Sequence, residues 1–341
     1  MSKIEGENKK VIVIAEIGVN HNGNISLAKK LIDKASESGA DIAKFQSFKP
    51  QNLLTGYAKK ANYQLNNSSE DESQFEMLKR LELSREDHLI LIEYCKKKEI
   101  EFLSSPFNAE DLLFLDSLGV RRIKIPSGEI TNPILLKEAG SLNKQVILST
   151  GMSNMKEVEI AFSLIVSGGI TPKDITILHC NTEYPTPYED VNLKAMLSIK
   201  NLLDVDVGYS DHTLGIEVPI AAVALGATVI EKHLTLDRAM DGPDHKSSLE
   251  PKEFLEMTRC IRNIEDALGK KEKKPSESEL KNIQIARKSI VALRSIKKGE
   301  AFSLENICFK RPGTGISPME YESLLGTKAK RIFEEDDLIE V

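Results

Sequence analysis

Between residues 11 and 231, eight short runs rich in Val, Ile and Leu alternate with stretches whose apolar residues recur every three to four positions. The runs are 11–16, 42–46, 101–105, 122–126, 145–149, 175–180, 206–209 and 229–231. The intervening segments, such as 26–38, 111–118, 156–167 and 193–203, have the period of amphipathic helices. After the eighth run, Phe254, Met257, Ile261, Ile264 and Leu268 keep helical spacing across 251–268. Eight β/α repeats over roughly 250 residues is the count and length of a TIM barrel. A doubly wound open sheet rarely needs eight repeats.

Each run stays apolar until its end and then turns polar. The ends carry Glu16, Asn20 and His21; Lys44 and Gln46; Ser104 and Ser105; Lys124, Ser127 and Glu129; Ser149 and Thr150. The sixth gives His179, Asn181, Thr182 and Tyr184, and the last two give Ser210, Asp211, His212, Glu231, Lys232 and His233. In a barrel the C-terminal strand ends share one mouth, so this asymmetry predicts a site there. His212 and His233 lie just past the seventh and eighth runs. Parallel strands bring both to the same side, and two imidazoles begin a site for manganese, iron, cobalt or zinc. Lys44 and Lys124 among hydroxyls suit a phosphate and a carboxylate. Glu16 and Glu129 are candidates to take or hold protons. His88 falls on what looks like the polar face of a helix.

Two segments break the repeat. Residues 50–84 are too long for a simple loop and are expected to wall the catalytic face. They hold the polar stretch NYQLNNSSEDESQ and a helix-like run over 75–81. Residues 269–283 begin GKKEKKPSESE, a solvated linker. The expected division is a barrel over 1–268, the linker, and a small turn-rich β module over 284–341. A module of about 55 residues is marginal alone, so it is expected to pack on the barrel or on a second subunit.

The net charge of -6 gives no footprint for nucleic acid. No apolar run approaches the ~20 residues of a membrane span, and the first ten residues carry no signal-peptide core. Four cysteines without CxxC spacing suit reduced thiols in a cytoplasmic protein.

The segments AEIGVNHNG, KFQSFK, SSPF, KIPSGE, LSTGM, HCNTEYPTPYEDVNL, VGYSDHT, IEKHLTLD and GPDHKSSLEP resemble the bacterial sialic acid synthase family, including the legionaminic and pseudaminic acid synthases. KKGE and FKRPGTGIS resemble the antifreeze-like (SAF-type) domain of that family. The resemblance implies a TIM barrel plus SAF module in a homodimer with swapped C-terminal domains. It also implies condensation of phosphoenolpyruvate with an N-acylated mannose-type sugar, helped by a divalent metal, Mn2+ first and Mg2+ or Co2+ next. N-acetylmannosamine giving N-acetylneuraminate is the first expectation. A 2,4-diacetamido-2,4,6-trideoxymannose giving N,N'-diacetyllegionaminate is the alternative.

By that resemblance the metal falls on His212 and His233. Phosphoenolpyruvate falls on Lys44, Ser105, Lys124, Ser127, Ser149, Thr182 and Ser210, where Ser105 replaces a threonine and Thr182 an asparagine of the family. The sugar falls on Glu16, Gln46, Glu129, Tyr184, Asp244 and, from the partner's small domain, Arg311. Catalysis is assigned to Glu16, Glu129, Lys44 and Lys124. A Schiff-base aldolase using Lys44 or Lys124, and a non-catalytic sugar-binding protein, are the readings from other classes.

Overall fold

The computed structural model describes residues 10–60 and 72–341. It divides into two compact units, Met1–Gly269 and Lys270–Val341. In the first unit the strands are β1 Ile12–Gly18, β2 Ile42–Ser47, β3 Glu101–Pro106, β4 Arg122–Ile125, β5 Gln145–Ser149, β6 Ile175–Cys180, β7 Asp206–Asp211 and β8 Val229–His233. Their order is β3-β2-β1-β8-β7-β6-β5-β4, and every hydrogen-bonded pair is parallel. β3 and β4 face each other across a seam without a ladder. The expected TIM barrel is present and nearly closed.

β1, β7 and β8 each run two residues beyond the end of their apolar stretch. Backbone pairing continues there because polar mouth residues still present N–H and C=O to a neighbour: Glu16 pairs with His233 and Asp211 with Lys232. His233 is therefore the last residue of β8 rather than a residue beyond it. β4 stops at Ile125, since Pro126 has no N–H to offer.

Strand alternation sorts the side chains into two sets. Ile14, Ile42, Leu103, Ile147, Leu178 and Val229 form an apolar layer inside the barrel. Val13, Ala15, Ala43, Phe45, Leu148, Ile177 and Ile230 pack outward with the helices. Burial on both faces is why the runs read as continuous apolar stretches. The residues two positions beyond the inner layer are Glu16, Lys44, Ser105, Ser149, Cys180 and Glu231, and all line one cavity. The same parity in β4 and β7 delivers Lys124 and Ser210.

Residues of the other parity serve the scaffold. Asp211 and Lys232 are fully buried and paired at 2.5 Å. Asp211 also accepts from the Thr213 amide and hydroxyl, and Lys232 donates to the Thr213 carbonyl. This lock ties the ends of β7 and β8, which carry the two mouth histidines. Lys232→Met strands a buried carboxylate and is expected to cost about 3–5 kcal/mol in urea unfolding. Adding Asp211→Asn is expected to recover much of that loss.

His88 contradicts the expected polar placement. In the helix Arg85–Lys97 it shares the buried stripe of Leu91, Ile92 and Cys95, at positions i, i+3, i+4 and i+7. Its Nε2 meets Ser47 Oγ at 2.6 Å and its Nδ1 donates to the Ser84 carbonyl at 2.7 Å. It packs edge-on against Phe102 and Phe114.

Part of the 50–84 insertion is helical, over Pro50–Leu53 and Gln74–Leu81. Its apolar residues Leu53, Met77, Leu78 and Leu81 cluster with Val19, Phe48 and Phe107. The polar stretch starting at Asn62 lies mostly outside the described residues.

In the second unit, β9 Ser289–Ala292 and β10 Ile307–Lys310 pair antiparallel. Ile290, Ile296, Phe302, Ile307, Phe333 and Ile339 form its core. A capped, exposed helix, Glu277–Ala286, occupies much of the stretch expected to be a linker. Its capping box of Ser276 and Glu279 was hidden in a run that reads as solvated charge.

Candidate active site

The inward residues of all the strand ends open into a cavity of about 450 Å³. At its base Lys44 Nζ lies 2.8 Å from Glu16 Oε2, 3.2 Å from Ser105 Oγ and 3.7 Å from Glu231 Oε2. Lys124 Nζ donates to Ser149 Oγ at 2.7 Å and lies 3.6 Å from Glu231 Oε1. Glu231 accepts from Ser210 Oγ at 2.9 Å, and Gln46 donates to Glu16 at 3.2 Å. Glu231 thus bridges the two lysines.

Charge follows from that arrangement. Burial pushes Glu16 up, and Glu231 beside it adds to the effect. Burial also acts on Glu231, but Lys124 and Lys44 outweigh it and hold the carboxyl below its usual range. Burial opposes the charge on Lys44, yet Glu16 and Glu231 outweigh it and keep the ammonium. Burial lowers Lys124. The Lys44 and Lys124 amines, set with hydroxyls at the base of the cavity, are the groups placed to meet an anion. An ammonium held charged is not a Schiff-base nucleophile, so Lys44 is unsuited to the aldolase alternative.

Above this layer sit the two histidines, with ring centroids 5.5 Å apart. His212 Nδ1 donates to the Asn181 carbonyl at 2.5 Å, which leaves Nε2 with its lone pair. Tyr184 stacks on His212 at 4.0 Å between centroids. His233 Nδ1 is buried without a hydrogen-bond partner, and Asp244 Oδ2 lies 4.0 Å from it. Burial drives His212 down to about 4 and His233 well below its usual value, so both rings are neutral. Burial raises Asp244 to about 7. Gly18, at φ 54, turns the chain beside them; a Cβ there would lie 3.1 Å from Glu16 Oε1 and 3.4 Å from His233 Cε1.

A neutral imidazole with an orphaned buried nitrogen, beside a second imidazole oriented by a carbonyl, is a donor set that fits a divalent cation. Among the described residues no group of three or more His, Cys, Asp or Glu is placed to hold a metal. An ion here would have two protein ligands and open positions.

Most residues expected at the site come together. Ser127 Oγ accepts from the Gly151 amide at 2.9 Å and meets Cys180 Sγ at 3.2 Å. A Cβ on Gly151 would sit 2.5 Å from Thr182 Cγ2, so glycine is what lets this floor close up. Thr182 lines the cavity and Asn181 does not. One residue of the barrel stands apart. Glu129 is outside the lining, and its carboxylate accepts from Asn132 at 2.8 Å. Arg311 is an exposed residue of the second unit whose Nε donates to the Ala286 carbonyl at 2.9 Å. Sequence reasoning placed Glu231 at the eighth strand end but gave it no role. Its position two before His233, on the same face of β8, was the available signal.

A (β/α)8 barrel with a cavity at its C-terminal mouth that holds two lysines, beside paired imidazoles, defines a barrel enzyme for a small anionic substrate. The chain belongs to the NeuB family, that of the sialic, legionaminic and pseudaminic acid synthases: the NeuB family model matches residues 31–273 and the SAF domain model residues 287–340. The N,N'-diacetyllegionaminic acid synthase of Campylobacter jejuni is 55% identical over 331 residues, covering 97% of this chain and 99% of that protein. That of Legionella pneumophila is 46% identical over 328 residues, covering 96% and 92%. The crystal structure of N-acetylneuraminic acid (sialic acid) synthetase from Leptospira borgpetersenii, in complex with citrate, matches with a TM-score of 0.72 and 34% identity, over 83% of this chain and 94% of that one. Among the described residues no helix is long and apolar enough to cross a membrane.

Proposed function

We propose that this enzyme condenses phosphoenolpyruvate with an open-chain N-acylated mannose-type sugar and water, giving a nonulosonate and inorganic phosphate. The observation that carries this is the Lys44–Glu231–Lys124 network at the base of the same cavity as the imidazole pair. From sequence, N-acetylmannosamine is the first expectation. Similarity to two proteins named N,N'-diacetyllegionaminic acid synthase favours 2,4-diacetamido-2,4,6-trideoxymannose instead.

His212 and His233 would hold a divalent ion, Mn2+ or alternatively Mg2+ or Co2+, which when bound supplies Lewis acidity to the sugar carbonyl. The protein's own groups account for the rest. Lys44 and Lys124, with Ser105, Ser127, Ser149 and Ser210, hold the phosphate and carboxylate of phosphoenolpyruvate. The methylene carbon C3 attacks the aldehyde carbon, a C–C bond forms, and the aldehyde oxygen takes up a proton. C2 is left electron-poor, and the buried Glu231 carboxylate stabilises it across a short, water-poor gap. Water adds to C2 and gives up a proton to Glu16, the one of the two candidate carboxyls that lines the cavity. The C2 hydroxyl then gives up its proton as its oxygen forms C2=O and the C2–O bond to phosphate breaks; phosphate leaves with that bond's electron pair and the released proton, between Lys44 and Lys124. Glu129 is a weaker candidate for the base because Asn132 engages it outside the cavity lining.

Swapping of the second unit in a homodimer, with Arg311 reaching the partner's sugar, is part of this proposal. The exposed Arg311 guanidinium and the exposed Leu280 and Ile285 support it. The test of the reaction is phosphate release from phosphoenolpyruvate with Mn2+. Phosphate is expected to appear only with an N-acylated mannose-type sugar, in step with nonulosonate, and to stop with EDTA. Borohydride is expected to trap no protein adduct. Phosphate release that ignores the sugar, or a trapped lysine adduct, would overturn the proposal.

A further inference from the structure

We propose that His88 is a positioning residue for the Lys44–Ser105 pair, acting from outside the barrel wall through Ser47 and Ser104. That this pair meets phosphoenolpyruvate rests on the proposed function above; the hydrogen-bond chain itself does not.

β3 is laddered to β2 on one side and meets only the seam with β4 on the other. Its inward Ser105 nevertheless has to stay beside Lys44 of β2, 3.2 Å away. Ser105 is opposite Gln46 in the ladder, and both line the cavity. The adjacent residues, Ser104 and Ser47, have the other parity and face the helices. At that parity the same strands carry, lower down, Ala43, Phe45 and Phe102 of the apolar layer under the helices. Two serines buried in that layer would be costly without partners.

Ser47 Oγ lies 2.7 Å from Ser104 Oγ and 2.6 Å from His88 Nε2. The Ser84 carbonyl, 2.7 Å from His88 Nδ1, only accepts, so Nδ1 carries the hydrogen. Burial keeps the ring neutral, which leaves Nε2 as an acceptor. Ser47 therefore donates to the ring and accepts from Ser104. The result is one directed chain from β3 through β2 to Ser84, the N-cap of the helix Arg85–Lys97. His88, Ser47 and Ser104 are each no more than 3% exposed, and Phe102 and Phe114 flank the ring edge-on. Apolar contacts alone would let the end of β3 slide against β2, whereas short hydrogen bonds in a buried layer fix one arrangement. The chain thus sets where Ser105 stands relative to Lys44, although none of its members lines the cavity.

The experiment uses the full chain. Ser47→Ala removes one hydroxyl and breaks the chain in the middle. The KM for phosphoenolpyruvate is expected to rise about tenfold, while the Mn2+ affinity proposed for His212 and His233, measured by calorimetry, stays unchanged. His88→Leu is expected to raise that KM to the same degree. His88→Gln, whose amide oxygen can accept from Ser47, is expected to recover most of the loss. Melting curves accompany all three variants. In crystals of Ser47→Ala the hydrogen bond between Lys44 and Ser105 is expected to be broken. Folded variants that melt earlier but keep the wild-type KM overturn the positioning role, as does an equal loss in His88→Leu and His88→Gln. An intact Lys44–Ser105 bond in the Ser47→Ala crystals also overturns it, without reference to turnover. Wild-type protein that releases no phosphate from phosphoenolpyruvate overturns the synthase reading, and the crystal readout then decides the positioning by itself.

Discussion

Replacing His233 with alanine is expected to lower phosphate release by on the order of 10³-fold or more while the melting temperature holds. The imidazole leaves no hydrogen bond behind, because its Nδ1 has no partner in the fold. Only one ring then remains to hold a cation, since no cluster of three acidic, cysteine or histidine side chains among the described residues can take over. Calorimetric titration with Mn2+ is the second readout, and binding is expected to fall with activity. His212→Ala should match it in activity but melt earlier, because it also strips the Asn181 carbonyl of its donor and Tyr184 of its stacking partner. Manganese affinity unchanged by both substitutions would remove the imidazole pair from the mechanism.

Acid is expected to destabilise the protein steeply between pH 6.5 and about 4. All six histidines are pushed below the ordinary value of 6.5, each chiefly by burial, and His21 and His212 fall to about 4. A depressed histidine contributes stability that is complete above 6.5 and is lost as pH drops toward the folded value, because only the unfolded chain takes the proton. Glu16 and Asp244 act in the opposite sense. Their raised folded values let the native state bind protons first, so their contribution grows as pH falls. Six lowered histidines oppose three raised carboxyls, Glu16, Asp111 and Asp244, so the histidines set the sign. Each net proton taken up by the unfolded chain corresponds to about 1.4 kcal/mol lost per pH unit. Urea unfolding in EDTA at stepped pH measures it. A flat profile across this window would show that the rings titrate freely in the native state.

Much of the site was legible because barrel geometry turns chain position into spatial position. Eight apolar runs with polar ends predicted a mouth, and Lys44, Lys124, Ser149, Ser210 and His233 all arrive there. The misreadings share one cause: an apolar pattern shows burial but not the partners that permit it. His88 looked polar and surface-bound because Ser47, the Ser84 carbonyl and two phenylalanines come from other parts of the chain or another turn. The helix Glu277–Ala286 was missed because its charges mask a capping box.

The order of elements, the strand ends and the residue types able to grip anions and cations were written in the chain itself, since they depend on local periodicity and side-chain chemistry. Which of two adjacent polar residues faces the cavity depended on strand parity within a closed ladder: Glu231 and His233 point in, while Lys232 turns out to meet Asp211. The charge state of the pocket was also a tertiary matter. Lys44, Lys124 and Glu231 are 80 and 107 residues apart in steps along the chain, and only barrel closure sets each lysine within 4 Å of Glu231 in a buried layer, where their charges decide one another.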